Sequence, residues 1–420
     1  MDVAVKDAVD VLNKLMKIRK ITGEICNTTR PLWEEVFYED SAQFTDYYFG
    51  HKAEKNIGYV IGQNPYDAMM FRTPYVLKIG EEQREISYIV GVATRKECRH
   101  RGYMRQLLMH SFREMYREKN PFTFLMPANP AIYEPFDFKY VYERDVWEFK
   151  EAESVIEILE AITSCEKEDY SNEKNFIIKA VIKKENVSDE DNLELKATEY
   201  GVLKQLQGLY SVRNLRKHFP QFPIIEFLAE FANQYLKEHY NIYVHRDISY
   251  YEMQLKESEA QNGDIYVLFE QGHIKAFFLY AKEGEEIFLQ EVMEETEGIL
   301  DFLQKAEKKK PIIMARIIHL EEMMKLVCSK ENVTMVIEIE DELIPENKGI
   351  YCLKMTPEGS QVTKIKSTVK DAVYSATDMK AAEKNIELLK EKAETEPVIS
   401  MHIRDLTTRI LTGVFINEIV

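Results

Sequence analysis

Ile86-Ser-Tyr-Ile-Val-Gly-Val-Ala-Thr-Arg-Lys-Glu-Cys-Arg-His-Arg-Gly-Tyr-Met-Arg105 sets the organisation of this chain. The first eight residues form a dense apolar run, long enough for one buried strand. A basic segment follows, with Arg95, Lys96, Arg99, His100 and Arg101 ahead of Gly102. Tyr103, Met104, Leu107, Leu108, Phe112, Met115 and Tyr116 then recur at helical spacing. Asn120-Pro121 closes that helix, and Phe122-Thr-Phe-Leu-Met126 reads as a second short strand ended by Pro127. The order strand, basic loop, helix, strand predicts a crossover unit with its loop at the carboxyl end of the first strand.

That loop is built for an anion. The first turn of a helix carries unpaired N–H groups and the positive end of the macrodipole. Gly102 permits close approach of the backbone or a conformation that a Cβ would oppose. The cations stand out because the whole chain is acidic, with a formal net charge of −17. Neither G-x-x-x-x-G-K-[ST] nor G-x-G-x-x-G occurs, so a P-loop and a dinucleotide fold are not indicated.

Arg99-His-Arg-Gly102-Tyr-Met104 after a buried strand resembles the pyrophosphate loop of the GCN5-related N-acetyltransferases (the GNAT family), written R/Q-x-x-G-x-G/A. The resemblance implies acetyl-CoA as co-substrate, with no metal. It places backbone contacts to the pantetheine arm at Val92, Ala93 and Thr94. The diphosphate falls to Arg99, His100, Arg101, Gly102, Tyr103, Met104 and Arg105. Downstream, Ala128-Asn-Pro-Ala-Ile-Tyr133-Glu-Pro-Phe-Asp-Phe138 resembles the family segment Y-x-x-x-G-F. Tyr133 then takes the role of general acid towards the departing thiolate, and Ala128 and Asn129 fall at cofactor contacts. Two positions depart from the pattern. Met104 stands where most of the family has Gly or Ala, and Asp137 stands where it has Gly.

Composition bounds the rest. The 420 residues suggest two to four domains, and 45% apolar with 30% charged residues is ordinary for a soluble protein. The acidic balance argues against non-specific nucleic-acid binding and favours cationic substrates. Five scattered cysteines without a C-x-x-C argue against a disulfide framework and a zinc ribbon, and fit a reducing cytoplasm. The start of the chain lacks the pattern of a signal peptide, and no apolar run is long enough to span a bilayer.

Outward from the central stretch, residues 1 to about 20 read as a helix, and Pro31 to Phe49 as one or two more. Strands are expected at 58–61, 68–79 and 140–149, the last completing the sheet. A second unit is expected from Glu151, with a helix from Ser154, an acidic loop at 188–192, and helices at 202–209 and 224–236. Strands follow at 250–255, 265–270, 274–280 and 287–292, with a tight turn at Gln271-Gly272 and a helix over 298–306. This layout looks like a second copy of the first unit. Yet Val292 is followed by Met-Glu-Glu-Thr-Glu-Gly298, which offers a diphosphate only acidic side chains. A third unit alternates at Val333, Met335, Ile337 and Ile339, answered by Tyr351, Leu353 and Met355 in a hairpin. Helices are expected at 379–393 and 403–411. Strand, Arg404-Asp-Leu406, helix, Gly413 resembles sterol-carrier-like domains.

Two GNAT-like units followed by a sterol-carrier-like unit resemble the enhanced-intracellular-survival (Eis) group of acetyltransferases. The expected fold is therefore α+β: a catalytic GNAT unit over 1–150, a degenerate GNAT-like unit over 151–309, and a sterol-carrier-like domain over 310–420. The resemblance implies that the C-terminal carboxylate, here on Val420, reaches the first unit and acts as general base. It also implies a homo-oligomer, often a hexamer. Asp46 and Glu418 are candidate acidic contacts for a polycationic amine, of aminoglycoside or polyamine type, or a lysine. The competing expectation is a non-catalytic acyl-CoA- or lipid-binding protein.

Overall fold

The computed structural model describes residues 17–150, 159, 208–283, 286–365 and 399–417. Several expected features lie outside those residues. They are the helix over 1–16, the one from Ser154, the 188–192 loop, most of 202–209, the 379–393 helix, and both Glu418 and Val420.

The first sheet begins with β1 (Arg19–Thr22), β2 (Ile57–Ile61), β3 (Ala68–Ile79) and β4 (Glu82–Thr94), joined antiparallel in that order. Helices α1 (Arg30–Val36) and α2 (Ala42–Tyr47) cover one face. On the other face lies α3 (Tyr103–Arg117), whose Leu107, Leu108, Ser111, Phe112 and Met115 are buried at i, i+1, i+4, i+5 and i+8. Buried Arg72 of β3 fastens it there, bonding Tyr59, Ser87 and Glu118 at 2.5–3.2 Å. Strand β5 (Phe122–Leu125) pairs parallel to β4, as the crossover requires.

The strand that completes this sheet differs from the expected one. β6 (Lys139–Arg144) does not touch β5; β14 (Lys310–Ile317) lies between them, antiparallel to both. β5 and β6 run parallel across this gap, so one antiparallel strand satisfies the backbone groups of both. Residues 147–149 leave the sheet and form β7 (Trp147–Phe149), paired with β13 (Leu303–Lys305). The expected boundary at 310 thus falls at the start of a strand of the first sheet.

A second, four-stranded antiparallel sheet has the order β12 (Glu286–Glu294), β11 (His273–Glu283), β10 (Asp264–Glu270), β8 (Gly208–Ser211). Gln271 and Gly272 both take positive φ in the tight turn, as the hairpin requires. Helices α4 (Val212–His218), α5 (Ile224–His239) and α6 (Ile248–Ala260) flank it. α6 replaces the strand expected at 250–255. Asp247 caps it through Tyr250 N at 2.7 Å, and Tyr251, Leu255 and Ser258 are buried one above another at i, i+4 and i+7. The helix expected at 298–306 is turns followed by β13.

Between α5 and α6, β9 (Ile242–Val244) adds to the lower half of β3, and β19 (Val414–Phe415) adds to β9. The Phe415 ring then meets Tyr142 of β6 at 5.4 Å, so the β9–β19 branch approaches the β6 edge of the same sheet. A third sheet has the order β17 (Gly359–Ile365), β16 (Gly349–Thr356), β15 (Val333–Glu340), β18 (Ile399–His402). Its β15–β16 register pairs Val333, Met335 and Ile337 with Met355, Leu353 and Tyr351. α7 (Leu320–Lys325) and α8 (Ile403–Ile410) link it to the first sheet. One continuous hydrophobic core joins all three sheets, and a smaller one lies on the far face of the second. No helix among the described residues is long and apolar enough to cross a membrane.

Candidate active site

The site begins where β4 leaves β5. The two strands pair only at Ser87–Thr123 and Tyr88–Phe124, while β4 continues to Thr94. From Ile89 onward its edge towards β5 is open. A β-bulge sets the direction of that edge, because Met69 pairs with Ala93 and Phe71 with Val90, leaving Gly91 and Val92 opposite Met70. Gly91 has φ +61°, and an added Cβ would stand 2.7 Å from the Trp33 ring. Glycine is therefore needed there for both conformation and space.

Past Thr94 the chain turns into α3. Gly102 is its N-cap at φ +76°, and among the described residues no side chain accepts from the amides of the first turn. There is no acidic residue in that turn. A Cβ on Gly102 would meet nothing within 4 Å, so the constraint is conformational. His100 is also left-handed, at φ +61°. Arg99, His100, Arg101 and Arg105 are solvent-exposed. Two of them brace the loop: Arg99 Nε donates to Thr94 O at 3.3 Å, and an Arg101 Nη donates to Glu97 O at 3.0 Å. Tyr103 is buried and Met104 half-buried, its side chain packed against the core.

Beyond β5, Ala128 and Asn129 are exposed, and Asn129 caps the following turn by accepting Ala131 N at 3.0 Å. Tyr133 comes next. Its ring is buried, edge-on to Phe138 at 6.0 Å. Its hydroxyl has no hydrogen-bond partner among the described residues and is not sealed from solvent. Burial alone pushes this phenol up to about 12, so it holds its proton at neutral pH. Arg105 lies over Phe136 at 5.7 Å and so joins the first turn of α3 to the tyrosine loop.

Asp137 explains its own departure from the motif. It sits at φ +62°, where glycine is usual and Asp is among the better-tolerated alternatives. Its carboxylate accepts from a fully buried guanidinium, Arg316 of β14, at 2.8 Å. The same guanidinium donates to Phe136 O at 3.0 Å and forks onto Asp341 at 2.7 and 2.9 Å. Asp341 in turn accepts the amides of Leu343 and Ile344 and the side chain of Asn347. Arg316 thus ties the tyrosine loop to the third sheet. Nothing in the sequence reading pointed to it; the available signal was one charge inside the buried run Ile312-Ile-Met-Ala-Arg-Ile-Ile318.

Opposite α3, the early helices form an aromatic wall. Trp33 stacks on Tyr48 at 4.3 Å, and Tyr48 lies beside Phe71. Buried Lys52 and Tyr47 both donate to Glu257 of α6, at 2.6 and 3.1 Å, which fixes this wall to the second unit. Asp46 is on the outside, held by Arg30 at 2.6 Å. The chain tail docks through β19 and through Asn417, whose amide donates to Gln290 O at 2.5 Å. No group of three or more His, Cys, Asp or Glu among the described residues could hold a metal ion.

Residues 17–141 match the family profile for an acetyltransferase (GNAT) domain. No curated protein matches the chain in sequence. Several solved structures share its fold. A conserved protein from Enterococcus faecalis V583, called a probable N-acyltransferase, is 14% identical, with a TM-score of 0.57 over 83% of this chain and 85% of that one. A GCN5-related N-acetyltransferase from Anabaena variabilis gives 14%, 0.56, 83% and 85%. Eis1 from Mycobacterium abscessus is 10% identical at a TM-score of 0.56, over 94% of this chain and 89% of that one. The chain carries a GNAT acetyltransferase domain in its first third, and it is an enzyme of the N-acetyltransferase type.

Proposed function

We propose that the protein transfers an acetyl group from acetyl-CoA to a primary amine of a polycationic small molecule or a lysine. The observation that carries this reading is the coincidence of three features within fifty residues. These are the open edge of β4, the uncapped helix at Gly102, and a protonated tyrosine on the loop joined to that helix by Arg105.

Acetyl-CoA supplies an activated thioester. The amides of Gly102–Arg105 hold its diphosphate, helped by Arg99, His100 and Arg101, and the backbone of Val92, Ala93 and Thr94 pairs with its arm. Met104 leaves those amides accessible because its side chain packs inward. Ala128 and Asn129 border the same cleft. Tyr133 donates its proton to the leaving thiolate. A base must take the proton of the attacking ammonium. The Val420 carboxylate fits this role: the tail is docked as far as Asn417, and a carboxylate withdrawn from water gains basicity. Asp46 and Glu418 remain candidates for contacts to the cationic acceptor, although the Arg30 bond competes for Asp46.

The second sheet, four antiparallel strands flanked by helices, supports reading it as a degenerate GNAT-like unit, and the third as a sterol-carrier-like domain. Assembly as a homo-oligomer follows from the Eis resemblance, and light scattering on the purified chain measures it.

The test is release of free thiol from acetyl-CoA across aminoglycosides, polyamines and lysine peptides. Turnover with at least one amine is expected. Failure of every amine, with acetyl-CoA still bound, would leave the non-catalytic acyl-CoA-binding reading.

A further inference from the structure

The gap between the β6 edge of the first sheet and its β19 branch is a cavity of about 550 Å³, within the size range of small-molecule sites. One wall is the free edge of β6, residues 140–145. The others are Tyr235 and Tyr240 at the end of α5, Gln290–Val292 of β12, and the tail over 411–417. None of the acetyl-CoA residues named above lines it.

Most charges around this cavity are already paired. Asp145 holds Lys309 at 3.1 Å and Lys305 at 3.6 Å, Lys305 also lies over the Trp147 ring, and Glu291 is bonded to Arg246 at 2.9 Å. Glu143 is exposed to solvent. Arg144 is the exception. It donates no side-chain hydrogen bond and makes no ion pair among the described residues, and its Nη1 is buried without a partner. A guanidinium cannot shed its charge, so withdrawing it from water without a counter-ion is costly. Around it stand Tyr142, Trp147, Tyr240 and Phe415, flat apolar surfaces suited to a ring.

We propose that this cavity is a binding site for a small aromatic anion, a carboxylate or a phosphate, with Arg144 as its counter-ion. The guanidinium fork matches either group through paired N–H bonds, and the rings enclose the body. The site is separate from the residues proposed to hold acetyl-CoA. Because its wall is the chain tail, a bound molecule would also hold the segment leading to the C-terminus.

Benzoate and phenyl phosphate are the probes, titrated into the full-length protein and followed by isothermal calorimetry and by tryptophan fluorescence. Benzamide is the neutral control and inorganic phosphate the ring-free one. Saturable binding of one anion is expected, with which anion binds distinguishing carboxylate from phosphate. The fluorescence response is expected to vanish in Trp147→Phe. Arg144→Gln should weaken binding at least tenfold while melting no lower than the parent, since it removes an unpartnered charge. Thr412→Trp, which fills the cavity while keeping the Arg144 side chain, should abolish binding. Absence of saturable binding by either anion, equal binding to Arg144→Gln, or displacement of the probe by coenzyme A would each overturn the proposal.

Discussion

Two loops leave strand ends in this molecule, each holding a left-handed glycine, and they do opposite things. After β4, the loop to Gly102 is basic, and the amides it presents have no side-chain partner among the described residues. After β12, the loop to Gly298 is acidic and closed on itself: Glu294 accepts the amides of Gly298 at 3.1 Å and Leu300 at 2.9 Å. The glycines have nearly the same conformation, φ +76° and +79°, with open space around both. What differs is who receives the N–H groups. In the second loop an internal carboxylate does; in the first no side chain among the described residues does. A glycine turn after a strand is therefore no sign of a phosphate site until its amides are accounted for.

The sharpest way to break this contrast is at the chemistry of the first loop's neighbour. Tyr133→Phe should lower kcat by about 10²–10⁴-fold, the range for a lost general acid, with little change in acetyl-CoA affinity. Steady-state kinetics beside direct binding would separate the two; a loss confined to binding would remove Tyr133 from its role. The elevated phenol also predicts that its ionisation imposes no fall in kcat up to about pH 10, because Tyr133 remains protonated until about 12.

Next in size is the ion-pair hub behind that loop. Arg316→Met leaves Asp137 and Asp341 buried without their counter-ion and should cost about 3–5 kcal/mol in denaturant unfolding. Adding Asp137→Gly, which restores the family's residue and suits the left-handed φ, should recover part of that loss. No recovery would mean that the Asp137 bond is incidental.

The glycine pair gives a smaller and cleaner comparison. Gly102→Ala and Gly298→Ala should each cost about 1 kcal/mol of stability for the same positive φ. Only the first should weaken acetyl-CoA in a binding titration. Equal effects on binding would dissolve the distinction between the loops.

The smallest expected effect is on acid stability. His319, half-buried and stacked on Tyr116 at 4.4 Å, has its pKa lowered by that burial. The unfolded chain then binds a proton that the folded chain refuses. Stability from this group is present above the unfolded value near 6.5 and is lost as pH falls below it. His319→Gln should flatten the decline in melting temperature between pH 7 and pH 5.5; an unchanged slope would assign the decline to other groups, such as His245.

Much of this could be read before any coordinates. The strand, loop, helix and strand of residues 86–126 stand where periodicity and proline placed them, as do the alternating pairs of β15 and β16. These are local signals: side-chain period and turn chemistry act within a few residues. Reading failed where a short apolar run suited two periods, as at Tyr250–Leu255, where the Asp247 cap and the i, i+4 face decided for helix.

The amino-acid order alone determined that a basic turn with a permissive glycine follows a buried strand, and that a tyrosine comes soon after the next one. Tertiary structure alone decided that Lys310–Ile317 crosses back to fill the slot beside β5, and that Arg316 thereby reaches Asp137 across 179 positions of chain. It also decided that the tail meets β6 and leaves Arg144 without a carboxylate among the described residues. Strand neighbours and ion pairs distant in sequence depend on the closure of long loops around a common core, and no local pattern carries that information.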